Sequence, residues 1–141
     1  MIENWDDAKF RAWDSIRKKW VYFNLFEIIN INHESLTDDE WAFIQLERVG
    51  RYIGLHDKHG REIYDGDIIE LIINQSKWIG IVSYSNRFAK FLIDCSANDG
   101  GIWDFGVVGI YEEVSNRMTN MEVVGNLYEN PELIVLLSDD E

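Results

Sequence analysis

The sequence predicts a mainly β fold, an antiparallel barrel or curled sheet carrying two short helices. Three observations predict it. Short runs rich in aromatic and β-branched residues recur along the chain, tight-turn signals separate them, and helix-start chemistry occurs at only two places.

Residues 1–35 read as amino-terminal strands. Phe10-Arg11-Ala12-Trp13 is the first, Asp14-Ser15 turns the chain, and Trp20-Val21-Tyr22-Phe23 and the run from Phe26 to Ile31 follow. Residues 36–50 read as a helix. Thr37 with Glu40 three residues on forms a capping box, and Leu36 and Trp41 occupy the positions of a hydrophobic staple. Asp38 and Asp39 suit the positive end of the helix dipole, and Gly50 is the expected stop. Trp41, Phe43, Ile44, Leu46 and Val49 scatter around the wheel, so the start is better defined than the length.

Residues 51–128 read as the sheet core. Asp57-Lys58-His59-Gly60 places Asp first and Gly last, as a type I turn with a bulge prefers. A short run from Arg61 to Tyr64 leads to a second tight turn at Asp65-Gly66. The strand from Asp67 to Ile73 is apolar at both parities, which predicts cover on most of both faces. Asn74-Gln75-Ser76-Lys77 turns the chain into Trp78 to Tyr84, where Gly80 permits a bend or bulge. Ser85-Asn86-Arg87 turns it again into Phe88 to Ile93. Residues 96–101 should be the most flexible loop, and Ile102 to Tyr111 is apolar but interrupted by Gly106 and Gly109. A last strand is expected from Glu122 to Tyr128. Pro131 suits the first turn of a C-terminal helix over residues 130–137, with a solvated tail at 138–141. No repeat or low-complexity linker divides the 141 residues, so one domain is expected.

Composition bounds the function classes. The chain carries 26 acidic and 13 basic residues, a net charge of −13. Phosphate binding draws on clustered Lys and Arg, so this balance argues against nucleic acid as a partner. Arg11, Arg17, Lys18 and Lys19 form the one local basic candidate. Acidic surfaces serve solubility first, and also docking to basic proteins or mimicry of DNA. Aromatic content is 13%, high enough that some rings are expected at the surface, where Trp and Tyr favour interfaces. The single cysteine, Cys95, excludes an internal disulfide and ends an apolar run, where it reads as a small hydrophobe. The acidic opening residues lack the basic and apolar blocks of a signal peptide, and no apolar stretch has the length of a membrane span. The expectation is a soluble cytoplasmic protein.

The stretch Arg51-Tyr52-Ile53-Gly54-Leu55-His56-Asp57-Lys58-His59-Gly60-Arg61-Glu62-Ile63-Tyr64-Asp65-Gly66-Asp67-Ile68-Ile69 resembles the central signature of the YopX-like phage and prophage proteins, approximately Y-T-G-L-x-D-K-N-G-K-E-I-Y-E-G-D-I-V. Lys9-Phe10-Arg11-Ala12-Trp13-Asp14 with Trp20-Val21-Tyr22-Phe23 resembles the amino-terminal motif of that family. Glu122-Val123-Val124-Gly125-Asn126-Leu127-Tyr128 and the following Glu129-Asn130-Pro131-Glu132-Leu133 resemble its carboxy-terminal one. Ile53 departs from the usual Thr and His59 from the usual Asn. The resemblance implies an SH3-like barrel core, an oligomer, and a phage or prophage origin in a bacterial host. It implies no activity.

Two local constellations carry chemistry on paper. His56-Asp57-Lys58-His59 has ligand-type residues, but neighbours on a turn diverge and zinc needs three or four converging ligands, so no metal or cofactor is expected. Asp65, Asp67 and Glu70 form an acidic cluster that Asp57 can approach; it reads as turn chemistry first and as an acid–base or cation site second. Trp103 and Phe105, after the glycine-rich loop, are the aromatics expected to contact either the core or another chain; Tyr64 and Asp67 are further binding candidates. The expected function is a non-catalytic accessory module that binds a second copy of itself, with a host or phage protein as a further partner. An acidic inhibitor of a host nucleic-acid enzyme and a small enzyme built on the acidic cluster are the alternatives.

Overall fold

The computed structural model describes residues 9–24 and 49–133. The expected strand from Phe26 to Ile31, most of the expected helix over residues 36–50, the C-terminal helix beyond Leu133 and the tail lie outside the described residues. The chain divides into two compact units, Met1–Tyr52 and Ile53–Glu141.

In the first unit, β1 (Lys9–Asp14) and β2 (Lys19–Asn24) form an antiparallel hairpin in unbroken register from Lys9↔Asn24 to Asp14↔Lys19. The start of β3 (Val49–His56) lies antiparallel to β1, with Phe10 opposite Arg51 and Ala12 opposite Val49. Val49 and Gly50, expected to finish a helix, therefore belong to a strand, where the β1 backbone satisfies their polar groups. Ala12, Val21 and Phe23 form a small core with Phe10 and Val49 against it, and Phe10 stacks on Phe23 at 5.8 Å. Asp14 closes the hairpin. Its Oδ1 accepts the Ile16 and Arg17 N–H groups at 3.0 Å each, and Lys18 takes the left-handed conformation at φ 58°.

In the second unit, the strands follow the expected order. β4 (Glu62–Tyr64) pairs with β3, and β5 (Asp67–Ile73), β6 (Ser76–Ser85), β7 (Lys90–Asp94) and β8 (Ile102–Asp104) form an antiparallel meander. β9 (Tyr111–Glu112) and β10 (Arg117–Met118) make a short hairpin, and β10 meets β3 in parallel at Arg117↔His56. β11 (Met121–Asn126) returns beside β5, so the sheet order is β11-β5-β6-β7-β8. The fold is mainly β, as expected. These pairings leave β11 and β8 at the two ends of the sheet, so the ladder does not close into the expected barrel.

The local causes are specific. Asn74 and Gln75 have φ of 49° and 70°, and Ile73 faces Ser76 across them, a two-residue turn with both central residues left-handed. Gly80 permits a bend, but the β5–β6 ladder keeps its register through it, Ile69↔Gly80 next to Glu70↔Ile79. Its role is close packing: a Cβ there would meet Cys95 Sγ at 2.5 Å and Ile93 Cγ2 at 2.6 Å. The register shift falls instead between Val123 and Gly125 on β11. β7 begins at Lys90, later than the expected Phe88, because Ala89 turns left-handed at φ 55°.

The loop expected to be most mobile is pinned to the core. Residues Ser96–Asn98 form one 3-10 turn, Gly100 N–H reaches Cys95 O at 2.9 Å, and Cys95 N–H reaches Gly101 O at 2.8 Å. After β8, Asp104 caps a single helical turn α1 (Phe105–Val108) by accepting the Gly106 N–H at 2.8 Å. At the end of β11, Asn126 Oδ1 accepts the Tyr128 and Glu129 N–H groups, so Leu127 and Tyr128 leave the strand earlier than expected. Pro131–Leu133 then begins as helix, with Pro in the first turn.

One face of the sheet builds the core. Ile69 and Leu71 of β5, Val82 of β6, Ile93 of β7, and Met121 and Val123 of β11 pack with Ile63, Cys95, Phe105 and Met118. These positions share one parity along each strand, as the pleat requires. Cys95 is fully buried, and burial followed by the neighbouring Asp94 charge pushes its thiol up to about 11.

Two outcomes follow from this packing. Gly80→Ala should destabilise the protein by about 1–3 kcal/mol in chemical denaturation, since buried Cys95 and Ile93 must shift to admit one methyl. A wild-type midpoint for the variant would contradict the tight approach. A thiol reagent at pH 8 should label Cys95 slowly in native protein and rapidly in denaturant; equal rates would show that the thiol is not enclosed.

Candidate functional site

The signature residues form a structural knot. Asp57 is 1% exposed. Its Oδ1 accepts the His59 N–H and the Arg61 N–H at 2.9 Å each, and its Oδ2 accepts the Val123 N–H at 3.0 Å. The turn backbone adds Lys58 N–H to Met121 O at 2.8 Å, and the Arg61 guanidinium reaches Val123 O at 3.3 Å. One carboxylate therefore shapes the β3–β4 turn and fastens it to β11. Asp67 does the same work at the next turn. It is 1% exposed, and its Oδ2 accepts the Tyr64 N–H at 2.8 Å while Gly66 holds φ 90°.

Asp67 and Glu70 of the acidic cluster do not converge. Asp67 points to the core side of β5, whereas Glu70 has the opposite parity and lies 3.6 Å from the Lys77 ammonium. Glu122, opposite Glu70 in the ladder, is matched by Lys58 at 3.6 Å and His59 Nε2 at 3.2 Å. Glu70 and Glu122 thus each have a basic neighbour, which offsets the cross-strand repulsion. The His56-Asp57-Lys58-His59 turn diverges as expected, with His56 in β3 and Asp57 buried. Among the described residues no group of three His, Cys, Asp or Glu side chains is placed to hold a metal ion. The basic candidate is also divided: Arg11 is buried with its guanidinium 3.9 Å over the Trp20 ring, and Arg17 lies 3.9 Å from Asp14. No helix among the described residues is long and apolar enough to cross a membrane.

The aromatic candidates are placed differently from one another. Phe105 is in the core, and Tyr64, at the end of β4, is 3% exposed. Neither ring is at the surface among the described residues. Trp103 is half-buried, packed on Trp78 at 6.4 Å. Exposed apolar residues include Tyr84 and Phe88 at the β6–β7 tip, Val107, Ile110, Tyr111 and Val114 along α1 and the β9–β10 hairpin, and Ile72, Ile102 and Val124 on the sheet. Val114 is 98% exposed. A signal for the second group exists in the sequence, since a valine in the turn run Glu113-Val114-Ser115-Asn116 has no strand to bury it.

The strip and the tip are held firmly. Asn120 Nδ2 donates to Val108 O at 2.8 Å and to Ile72 O at 3.1 Å, while its Oδ1 accepts the Ile110 N–H at 2.9 Å. Arg117 Nε donates to Glu112 Oε2 at 2.9 Å across β9–β10. At the tip, Tyr84 meets Phe91 edge-on at 5.2 Å, and Arg87 lies 5.3 Å over Phe88. The Lys90 ammonium binds the Asp104 carboxylate and, with the Gly106 N–H, holds that carboxyl below its ordinary range. α1 packs against β7 as well as β8.

Replacing Asp57 by Ala removes the acceptor of three N–H groups, that of Val123 buried and those of His59 and Arg61 part-buried, and should cost about 1–3 kcal/mol in denaturant unfolding. Asp57→Asn should lose less, because one amide oxygen still serves His59 and Arg61 while the NH₂ faces the Val123 N–H. Equal stability of all three forms would refute the knot.

No curated protein sequence matches the chain. Among solved structures it is similar to the crystal structure of protein EF1440 from Enterococcus faecalis, at 20% identity over 90% of this chain and 97% of that one, with a TM-score of 0.46. The family model described as YopX protein matches residues 9–135, which takes in both turn carboxylates, the meander and β11, and the chain therefore belongs to the YopX protein family.

Proposed function

We propose that this chain is a non-catalytic module that works by binding protein surfaces, a second copy of itself first. The observation that carries the reading is the pairing of a rigid sheet with apolar side chains left outside it. Val107, Ile110, Tyr111 and Val114 are exposed, yet the backbone beneath them is fixed by Asn120 and by the Glu112–Arg117 pair. Large exposed apolar groups on a firm support suit a contact surface.

The placement of the signature carboxylates supports a scaffold role in preference to catalysis. Asp57 and Asp67 are buried and their oxygens accept backbone N–H groups, so neither faces a reactant. The SH3-like architecture belongs to the same reading. A five-stranded antiparallel sheet whose buried apolar residues form one core supports it. A phage or prophage origin and a cytoplasmic location in the bacterial host are part of the proposal, as the family resemblance implies.

Light scattering on the purified chain tests the reading. The expected mass is a multiple of 16.6 kDa at micromolar concentration. A monomer across the accessible concentration range would overturn self-binding, and turnover that Asp67→Ala abolishes would overturn the non-catalytic part.

A further inference from the structure

We infer that the contact between copies joins the β6–β7 tip of one chain to the Val107–Val114 strip of another, with Arg87 of the first facing Glu113 of the second. This rests on the proposed self-binding and names the surfaces that carry it.

The argument is one of charge and shape. The chain is strongly acidic, at −13, yet residues 84–93 contain two cations and no acid. Lys90 is neutralised by Asp104. Arg87 is exposed, and among the described residues no carboxylate lies within ion-pair distance of it; its guanidinium rests over the Phe88 ring. The tip therefore presents one free cation between two half-exposed aromatics, Tyr84 and Phe88. Arg and Tyr are over-represented among residues that dominate binding energy.

The strip has the opposite character. Glu112 is taken by Arg117, while Glu113 is exposed and has no cation within ion-pair distance among the described residues. It stands between the exposed Tyr111 and Val114, with Ile110 and Val107 beyond. An aromatic tip with one positive charge and an apolar strip with one negative charge are complementary. Burying them against each other removes six exposed apolar side chains, Tyr84, Phe88, Val107, Ile110, Tyr111 and Val114, from water and pairs both charges in the act. A contact between two different patches of the same chain closes as a pair when reciprocal and as a ring when head-to-tail, so the measured mass reads which closure is used.

Charge reversal tests the pairing. Arg87→Glu and Glu113→Arg alter exposed side chains, so thermal unfolding of each variant should match wild type. Each should weaken self-association by about tenfold or more in sedimentation equilibrium, by placing like charges opposite each other. The double variant Arg87→Glu with Glu113→Arg should regain association, and raising salt should weaken wild-type and double variant alike. A wild-type chain that is monomeric throughout overturns both this contact and the proposed self-binding. A wild-type chain that assembles while the single variants assemble equally well, or a double variant that stays dissociated, overturns this contact alone.

Discussion

The Asp57 carboxylate is the constraint from which the organisation of the second unit follows. Three backbone N–H groups converge on it, two from its own turn and one from Val123, sixty-six residues away. A buried carboxylate is costly to desolvate unless such donors replace its water. Because they do, the turn and β11 hold each other in place. β11 then aligns β5 through the ladder from Met121↔Leu71 to Asn126↔Asp67, and β5 aligns the meander. Asp67 repeats the device at the other end of β4, where it accepts the Tyr64 N–H. The two acidic residues that look most like chemistry in the sequence are thus architectural.

Core packing follows from that alignment. With β5 in register, Ile69 and Leu71 face the interior with Val82 and Ile93, and Gly80 becomes the point where β6 passes closest to Ile93 and Cys95. The same closeness encloses the thiol and pushes it up to about 11, which suits a packing group and not a nucleophile. The pinned 96–101 loop delivers β8 to the edge of the sheet, and Asp104 there both caps α1 and binds Lys90. Architecture and surface therefore meet at one residue: the pair that holds α1 against β7 also cancels the Lys90 charge and leaves Arg87 as the exposed cation of the tip.

How far the sequence could be read depended on the range of the interactions involved. Turns and strands are local, and Asp57-Lys58-His59-Gly60, Asp65-Gly66 and the β5 run were legible because the turn residues and side-chain parity decide them. The errors lie where a distant partner decided. Gly80 reads as a place that permits a bend until Cys95 is known to lie against it, Val49 and Gly50 read as a helix end until β1 is known to lie beside them, and residues 96–101 read as slack until Gly100 is known to lie against Trp78. The candidate site followed the same pattern. Phe105 and Trp103 are alike in sequence, but one enters the core and the other rests on Trp78, a difference that alternation along a strand ending at Asp104 does not reveal.

By itself the sequence determined the mainly β class, the tight turns, the family, and the acidic balance that disfavours phosphate-rich partners, because composition and short-range spacing carry each of these. Tertiary structure alone decided which carboxylates are buried, which aromatics face water, and which charges are left unmatched after pairing. The physical reason is that burial and ion pairing depend on neighbours brought together from far along the chain, whereas a turn depends on the few residues that make it.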